Sequence, residues 1–483
     1  MRKSLRAFFG ALLLAPVAAM AAPACPGLIP YTQPDGSVIM VRIEGDEFAR
    51  RYYSAENVRL TADADGALRR ATAAEIADQD FEEQTAVGLR SAMRGPGLKA
   101  IATFPHTGTP RAVVILVEFS DVKFTTPNPR EFFSRMLNEE GFSDYGAVGS
   151  ARDYYKSQSR GKFVPQFDVY GPVTMSYTRA KNAATSNVPT IIKDATSAVD
   201  SQVNFADYDN DGNGEVDNVY VIFAGAGGNY GGSNSIWPHN ASLSTGLFST
   251  TKRDGKTLKH YAVAGEIGST AGRPAGIGTF VHEFGHVLGL ADHYTTDGDH
   301  NDYTPGFWDV MDWGCYLGDG NNGRSPCYFS AYQRMALDWE APAATLSTSA
   351  ASVVLPSMAD DPFFVKIETG RDNDYYLLEN RTQKGFDGAL YNSGMLIWHI
   401  DAGFTNLTSS PNNIIDHMAV DLVRADNSAG SNSLYGDVWP GTSGNTSFDG
   451  SSQPPMFRWE ASSSSKRVNI NDRQVSNIVR NAD

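Results

Sequence analysis

The run FVHEFGHVLGLADHY, from Phe280 to Tyr294, carries two histidines four residues apart, His282 and His286, with Glu283 beside the first. On an α-helix, residues at i and i+4 share a face, so both imidazoles can meet one ion, and zinc is the ion such a pair selects. Glu283 then stands where its carboxylate can act as general base on a water held by that metal, whose pKa falls from about 15.7 to about 7. Phe280, Val281, Val287 and Leu288 suit a buried helix. Gly289 offers the left-handed conformation that ends it and turns the chain back toward the metal. A third ligand is available at Asp292 or, one residue later, at His293. Carboxylate and imidazole both bind zinc at about 2.0–2.2 Å, so spacing excludes neither; Asp292 is preferred, with His293 as the alternative. A core helix with two satisfied histidines is the plain rival, and it leaves unexplained why four of the nine histidines fall between 282 and 300.

A second cluster, DYDNDGNGEVD, runs from Asp207 to Asp217. Laid on the EF-hand template from Asp209, it puts Asp211 and Asn213 at the next two ligand positions. Gly214 takes the sharp turn, Glu215 offers its carbonyl and Asp217 falls at position 9. The bidentate Glu of the template is replaced by Tyr220, so Asp207 is expected to supply the missing charge. Four aspartates within eleven residues repel one another unless a cation neutralises them, so the expectation is calcium in a stabilising role, bracing the edge of a catalytic sheet. Asp297 to Asp302 reads as a polar loop, His239 as a structural histidine with a second-sphere or cleft role as the lesser alternative, and His399 with Asp401 as packing in an apolar strand. The chain has no G-x-S-x-G elbow and no Gly-rich loop followed by Lys-Ser/Thr, which removes serine-hydrolase and nucleotide-dependent chemistry.

These residues need a scaffold, and 483 residues with 41% hydrophobic content supply a sizeable core. Lys and Arg number 40 against 55 Asp and Glu, a net charge of -15 that repels phosphate backbones and excludes nucleic acid as a partner. Arg2, Lys3 and Arg6 precede an apolar run to Ala22, and Ala19-Met20-Ala21 gives the small-x-small pattern of signal-peptide cleavage. Residues 1–22 are therefore expected to direct export. No later stretch approaches 18 apolar residues, so no transmembrane segment is expected. In an oxidising compartment Cys315 and Cys327 are expected to close a disulfide, while Cys25 is a weaker candidate for lipidation or for a metal-blocking thiol. Val38 to Ile43 reads as a strand and Ala73 to Met93 as a helix; a linker follows from Arg94 through Pro110. Ala112 to Phe119 and Val216 to Ala224 read as strands, Gly149 to Gln158 and Tyr328 to Trp339 as helices. Four strands are expected near Phe363, Tyr375, Met395 and Met418, and the only low-complexity patch is Ser462 to Ser465.

The pattern H-E-x-x-H-x-x-G-x-x-D, here His282, Glu283, His286, Gly289 and Asp292, resembles the immune inhibitor A family of secreted bacterial metallopeptidases. AVVILVEFSDVKF from Ala112, GSARDYYKSQSRGKF from Gly149, IWPH from Ile236, WDVMDWG from Trp308, YLLENR from Tyr376 and GMLIWHID from Gly394 carry the same likeness, so it covers nearly the whole mature chain. No downstream Glu-x-x-x-Asp helix offers the thermolysin arrangement instead. The resemblance implies an α+β fold: a prosegment (23–105), a zincin-like metallopeptidase domain (106–345) and a C-terminal β-sandwich-like domain (346–483). It implies Met311 as the methionine turn beneath the metal. Where several metzincins place an oxyanion-stabilising tyrosine, two residues after that methionine, this chain has Trp313, leaving Tyr294, Tyr303 and Tyr316 as substitutes. The expected function is a secreted, monomeric, zinc-dependent endopeptidase with structural calcium, acting on proteins or peptides. Its rivals are a zinc amidase of cell-wall peptides and a calcium-dependent surface-binding protein on an inactive scaffold.

Overall fold

The computed structural model describes residues 19–46, 49–94, 102–232, 234–242, 251–270, 272–296, 303–347, 352–404, 410–430, 433–460 and 466–480. Most of the signal segment, the loop Asp297 to Asp302 and the patch Ser462 to Ser465 lie outside these residues. The leading part begins with a short strand, β1 (Ala19–Ala21). An antiparallel meander follows: β2 (Ile29–Thr32), β3 (Val38–Gly45), β4 (Arg50–Ser54), β5 (Arg59–Ala62) and β6 (Leu68–Arg70). Helix α1 (Ala73–Arg94) closes this part, as its Ala-rich, charged sequence requires.

The middle of the chain builds a layered α/β core. β7 (Arg111–Glu118) is a β-branched run buried on both faces, the pattern a central parallel strand needs. After α2 (Pro129–Asn138), α3 (Ala151–Gln158), β8 (Gln166–Thr174) and α4 (Val188–Val199) come β9 (Glu215–Val216), β10 (Val219–Ala226) and β11 (His239–Ser242). The hairpin β12 (Lys252–Arg253) and β13 (Lys256–Leu258) leads into β14 (His260–Ile267). The main sheet has the order β1-β11-β14-β10-β7-β8. Its β14, β10, β7 and β8 are mutually parallel, while β11 runs antiparallel to β14 and β1 antiparallel to β11. α4 covers one face through Ile191, Ile192 and Val199 against Val113, Ile115 and Val221. The other face carries Val114, Leu116 and Ile222 into a larger core shared with α2, α3 and α5 (Gly278–Val287). α3 starts on a reciprocal cap between Ser150 and Asp153, as does α6 (Ala331–Ala336) between Ser330 and Gln333. α6 is shorter than the expected span from Tyr328 to Trp339, because that cap begins it at Ala331 and Asp338 then turns left-handed.

Beyond it lie β15 (Ala344–Leu346), β16 (Phe364–Arg371), β17 (Asp374–Arg381), β18 (Gly394–Asp401) and β19 (Val420–Leu422), which form one sheet in sequence order. One face of this sheet, with Phe364, Leu377, Leu396 and Trp398, enters the same large core as α5. The other packs Tyr376, Leu378 and Ile397 against two ribbons, β20 (Ser447–Asp449) with β23 (Gln474–Ser476) and β21 (Phe457–Trp459) with β22 (Arg467–Asn469). Charges are buried at the junction: Arg381 holds Asp387 in a bidentate pair at 2.5 and 2.6 Å and reaches Tyr328 O at 3.1 Å. Glu379 accepts from the first N–H of α6, Ala331, at 3.0 Å. Among the described residues no helix is long and apolar enough to cross a membrane.

Candidate active site

α5 is wholly buried, and it presents His282 and His286 from adjacent turns with ring centroids 4.8 Å apart. His282 Nδ1 lies 2.8 Å from Val310 O, and His286 Nδ1 lies 2.8 Å from Leu290 O. A carbonyl only accepts, so each Nδ1 carries the proton and each Nε2 keeps its lone pair, the tautomer that metal ligation requires. Burial also holds the His286 pKa below its ordinary value, favouring the neutral ring. Gly289, at φ 97°, ends the helix and brings Asp292 back to the histidines. Asp292 Oδ1 lies 3.3 Å from His282 Nε2 and 3.2 Å from His286 Nε2. Donors bound tetrahedrally at about 2.0–2.1 Å stand about 3.3 Å apart, so two nitrogens and one oxygen at this spacing fit zinc. These three residues form a group able to hold a metal ion.

His293, the alternative ligand, turns its Nδ1 to Asp309 Oδ2 at 2.7 Å. Asp309 also accepts from Met311 N at 2.7 Å and Gln333 Nε2 at 2.5 Å. Burial alone would raise the Asp309 pKa, but His293 and these donors bring it below the usual carboxylate range. Met311 lies directly under α5: a Cβ on Gly285 would stand 2.6 Å from its Sδ, so any larger residue at that helix position would have to displace the methionine side chain.

Glu283, also buried, faces a segment that sequence reasoning treated only as a cleavage signal. β1 adds to the free side of β11 with Ala21 opposite His239. Ala22 N then donates to Glu283 Oε1 at 2.8 Å. Trp237 Nε1 donates to Ala22 O at 2.8 Å, while the Tyr294 and Tyr316 hydroxyls donate to Ala21 O and Pro23 O. An extended peptide thus lies along the edge strand, with the Ala21–Ala22 bond between Tyr294 and Glu283. Tyr303, the third substitute, is exposed. His239 is buried, donates from Nδ1 to Trp237 O at 2.8 Å and pairs with Tyr261 at 3.0 Å, so it braces the tryptophan; burial lowers its pKa to about 4.

The cysteine expectations are corrected. Cys25, Cys315 and Cys327 are all buried free thiols. Cys315 is influenced by Asp312, Cys327, Cys25 and Glu283, while Cys327 packs on Gly314 and is influenced by Arg381, Asp387 and Asp309; the two thiols are neighbours that are not joined. Cys25 is neither exposed for lipidation nor directed at the histidines: its backbone N–H is bound to Asn229 O, and its thiol faces Asn321 O. Ala22 occupies the place proposed for a blocking thiol.

In the acidic loop, Asp209, Asp211 and Asp217 come together as a second group able to hold a cation. Asp209 Oδ1 and Asp217 Oδ1 are buried without hydrogen-bond partners. Burial raises Asp217 to about 7, whereas the Lys256 ammonium, 2.6 Å from Asp209, lowers that carboxyl. Asn213 Oδ1 accepts from Glu215 N at 2.8 Å. The side chains of Asp207 and Glu215 are drawn off by nearby bases: Asp207 pairs with Arg111 at 3.1 Å and Glu215 with Lys259 at 3.3 Å. Asn210 exchanges hydrogen bonds of 3.0 Å with both backbone groups of Arg111, which ties the loop to the start of central strands β7 and β10 and not to the sheet edge.

Residues 103–340 match the family model for the immune inhibitor A peptidase M6 catalytic domain. The chain is similar to Immune inhibitor A of Bacillus thuringiensis subsp. alesti, 26% identical over 270 residues, covering 46% of this chain and 38% of that protein. It is also similar to the pre-pro-metalloprotease PrtV of Vibrio cholerae serotype O1 (strain M66-2), 24% identical over 290 residues, covering 47% of this chain and 30% of that protein. The family resemblance read from the motifs is borne out over residues 103–340, and the chain spans well under half the length of the curated relatives it matches.

Proposed function

We propose, on the premise that residues 103–340 are a peptidase M6 catalytic domain of the immune inhibitor A type, that this chain is a secreted zinc-dependent endopeptidase made as a latent precursor. The observation that carries the reading is the convergence of His282, His286 and Asp292 beside Glu283, in a cleft whose edge strand holds an extended peptide. Those three residues would hold the zinc, with Met311 as the floor beneath the helix. When bound, the ion supplies Lewis acidity, polarising a carbonyl and lowering the pKa of water. The protein does the rest. β11 and Trp237 align the substrate backbone by strand addition. Glu283 takes a proton from the attacking water and delivers it to the departing amide nitrogen, the atom type it already contacts in Ala22. The Tyr294 phenol faces the carbonyl oxygen on which negative charge grows, a role supported by its bond to Ala21 O.

Latency follows from the same contacts, because residues 19–25 occupy the seat a substrate needs. Removal of the signal peptide, residues 1–22, would leave Pro23 to Cys25 in that seat, and activation requires loss of the segment up to about residue 105. Calcium in the Asp209–Asp217 loop stabilises the start of the central strands.

The test is to express the full chain and its Glu283→Ala variant, measure zinc by mass spectrometry and assay denatured casein with and without chelator. The expected result is about one zinc on each protein, with chelator-sensitive internal cleavage by the wild type alone. N-terminal sequencing of the active form should find a start near residue 105; an active form beginning near Pro23 would sink the latency claim. Zinc on a fully processed protein that leaves casein intact would favour the amidase reading, and a protein without zinc would end the enzymatic one.

A further inference from the structure

We infer that the segment Ser410–Asn413, contributed by the C-terminal part of the chain, is a positioning element of the metal site that fixes Asp292. The inference rests on the zinc reading above. His282 and His286 ride on a buried helix whose own hydrogen bonds set their spacing, but Asp292 has no such support: residues 291–296 form neither helix nor strand. Backbone groups in such a buried stretch need partners, and whatever supplies them sets where the carboxylate stands.

His293 N donates to Met311 O at 2.9 Å, and the partners of the carbonyls come from almost 120 residues further along. Ser410 Oγ lies 3.1 Å from Asp292 O and 2.8 Å from Tyr294 O, sharing its single proton between the two carbonyls that bracket His293. Asn412 Nδ2 donates to His293 O, between them, at 2.8 Å. Asn413 continues the series: its Oδ1 accepts from Thr296 N at 2.8 Å and its Nδ2 donates to Thr296 Oγ1 at 2.9 Å. Three consecutive carbonyls of the ligand loop, Asp292 to Tyr294, are therefore held by two side chains. Those side chains are anchored in turn. Asn412 Oδ1 accepts from Val420 N at 3.0 Å and Asn412 Nδ2 donates to Val420 O at 2.8 Å, and Val420 belongs to β19, paired with β18. Ala419 N closes the turn on Pro411 O at 3.1 Å. Ser410 and Asn412 are both buried, so water does not compete for these bonds. The C-terminal sheet thus acts as the outer wall of the metal site, and the path from β18 and β19 through Asn412 to the ligand loop is continuous.

Outer partners of ligating groups typically contribute about 10–100-fold to metal affinity. The experiment uses the full chain in four forms: wild type, Ser410→Ala, Ser410→Thr and Asn412→Asp. Zinc affinity is read by competition with a chromophoric chelator, and the thermal midpoint of each zinc-free protein is read separately. Ser410→Ala removes one oxygen atom and should keep the zinc-free midpoint within a few degrees while weakening zinc at least tenfold. Ser410→Thr, which retains the hydroxyl, should restore affinity to within about threefold. Asn412→Asp, which sets a carboxylate against two carbonyls, should weaken zinc more than Ser410→Ala does. A merely structural role would lower the zinc-free midpoint and leave the affinity of the folded protein unchanged, and that outcome overturns the inference. If Asn412→Asp does not fold, the serine pair decides alone. A wild type that binds no zinc ends both the proposed function and this inference, whereas zinc bound equally well by wild type and Ser410→Ala ends this inference alone.

Discussion

Replacing Tyr294 by phenylalanine removes one oxygen from the cleft and isolates one catalytic claim. The Tyr294 hydroxyl and Glu283 grip opposite ends of a single peptide unit, the carbonyl of Ala21 and the N–H of Ala22, the latter at 2.8 Å. A substrate seated in the same way has its carbonyl oxygen at the phenol when that oxygen becomes an anion. Loss of one such donor costs about 2.7–4 kcal/mol in the transition state, or roughly 10²–10³ in kcat. The ground state loses only an ordinary hydrogen bond of about 1 kcal/mol, so KM should rise no more than about fivefold. Tyr316→Phe is the matched comparison: its hydroxyl meets Pro23 O, beyond the peptide unit that Glu283 contacts, so its effect should fall on KM with kcat nearly unchanged. The assay is steady-state cleavage of a fluorogenic peptide by processed enzyme at equal zinc content, with the affinity of a phosphinic peptide inhibitor as a second reading. A transition-state mimic should lose nearly the whole catalytic factor on Tyr294→Phe. A Tyr294→Phe enzyme with kcat within threefold of wild type would refute the assignment and turn attention to the indole of Trp313.

The acidic loop predicts a calcium-dependent midpoint. At a calcium concentration 100 times the Kd, the gain is about 2.7 kcal/mol, a shift of a few degrees that Asp217→Asn should abolish; a wild-type midpoint unchanged by millimolar calcium would remove the ion from the fold. A pH effect follows from Asp437, whose pKa burial pushes up to about 6 even though it accepts from Trp308 Nε1 at 2.7 Å. Its protonated form is the one the fold favours, so its contribution is complete below the unfolded value near 4 and is lost as pH rises through about 6. Asp437→Asn should therefore gain on wild type by on the order of 3 kcal/mol between pH 4 and pH 7, measured by urea unfolding; a difference independent of pH refutes this.

The helix bearing His282 and His286 was legible because about four residues make one turn of α-helix, so spacing alone aligned the two rings. The buried strands were legible for a related reason: β7 and β16 to β18 carry apolar runs long enough to declare themselves, and each appears within a few residues of its expected bounds. What escaped was everything that depends on distant pairing. Nothing local in Ser410-Pro411-Asn412-Asn413 says that its side chains will cap a loop more than a hundred residues earlier. The Ala-rich segment before Pro23 resembled a cleavage signal and carried no mark of strand addition to β11. Cys315 and Cys327 misled in the opposite sense, since nearness of two thiols does not by itself join them. The acidic loop fell between: the template named the aspartates that converge, but Arg111, which pairs with Asp207, comes from another element.

The core shared between α5 and the C-terminal sheet has a consequence in time. A chain that crosses a membrane with its N-terminus leading releases His282, Glu283 and Asp292 well before β17, Asn412 and β19 have emerged. Until they do, the large apolar core lacks the face that the C-terminal sheet adds to it, and the carbonyls of the loop bearing Asp292 lack Ser410 and Asn412. The covering segment at residues 19–25 is the first to arrive and the last catalytic support is among the final ones. On the proposed reading, a peptidase assembled in this order has its cleft covered before its metal site is finished.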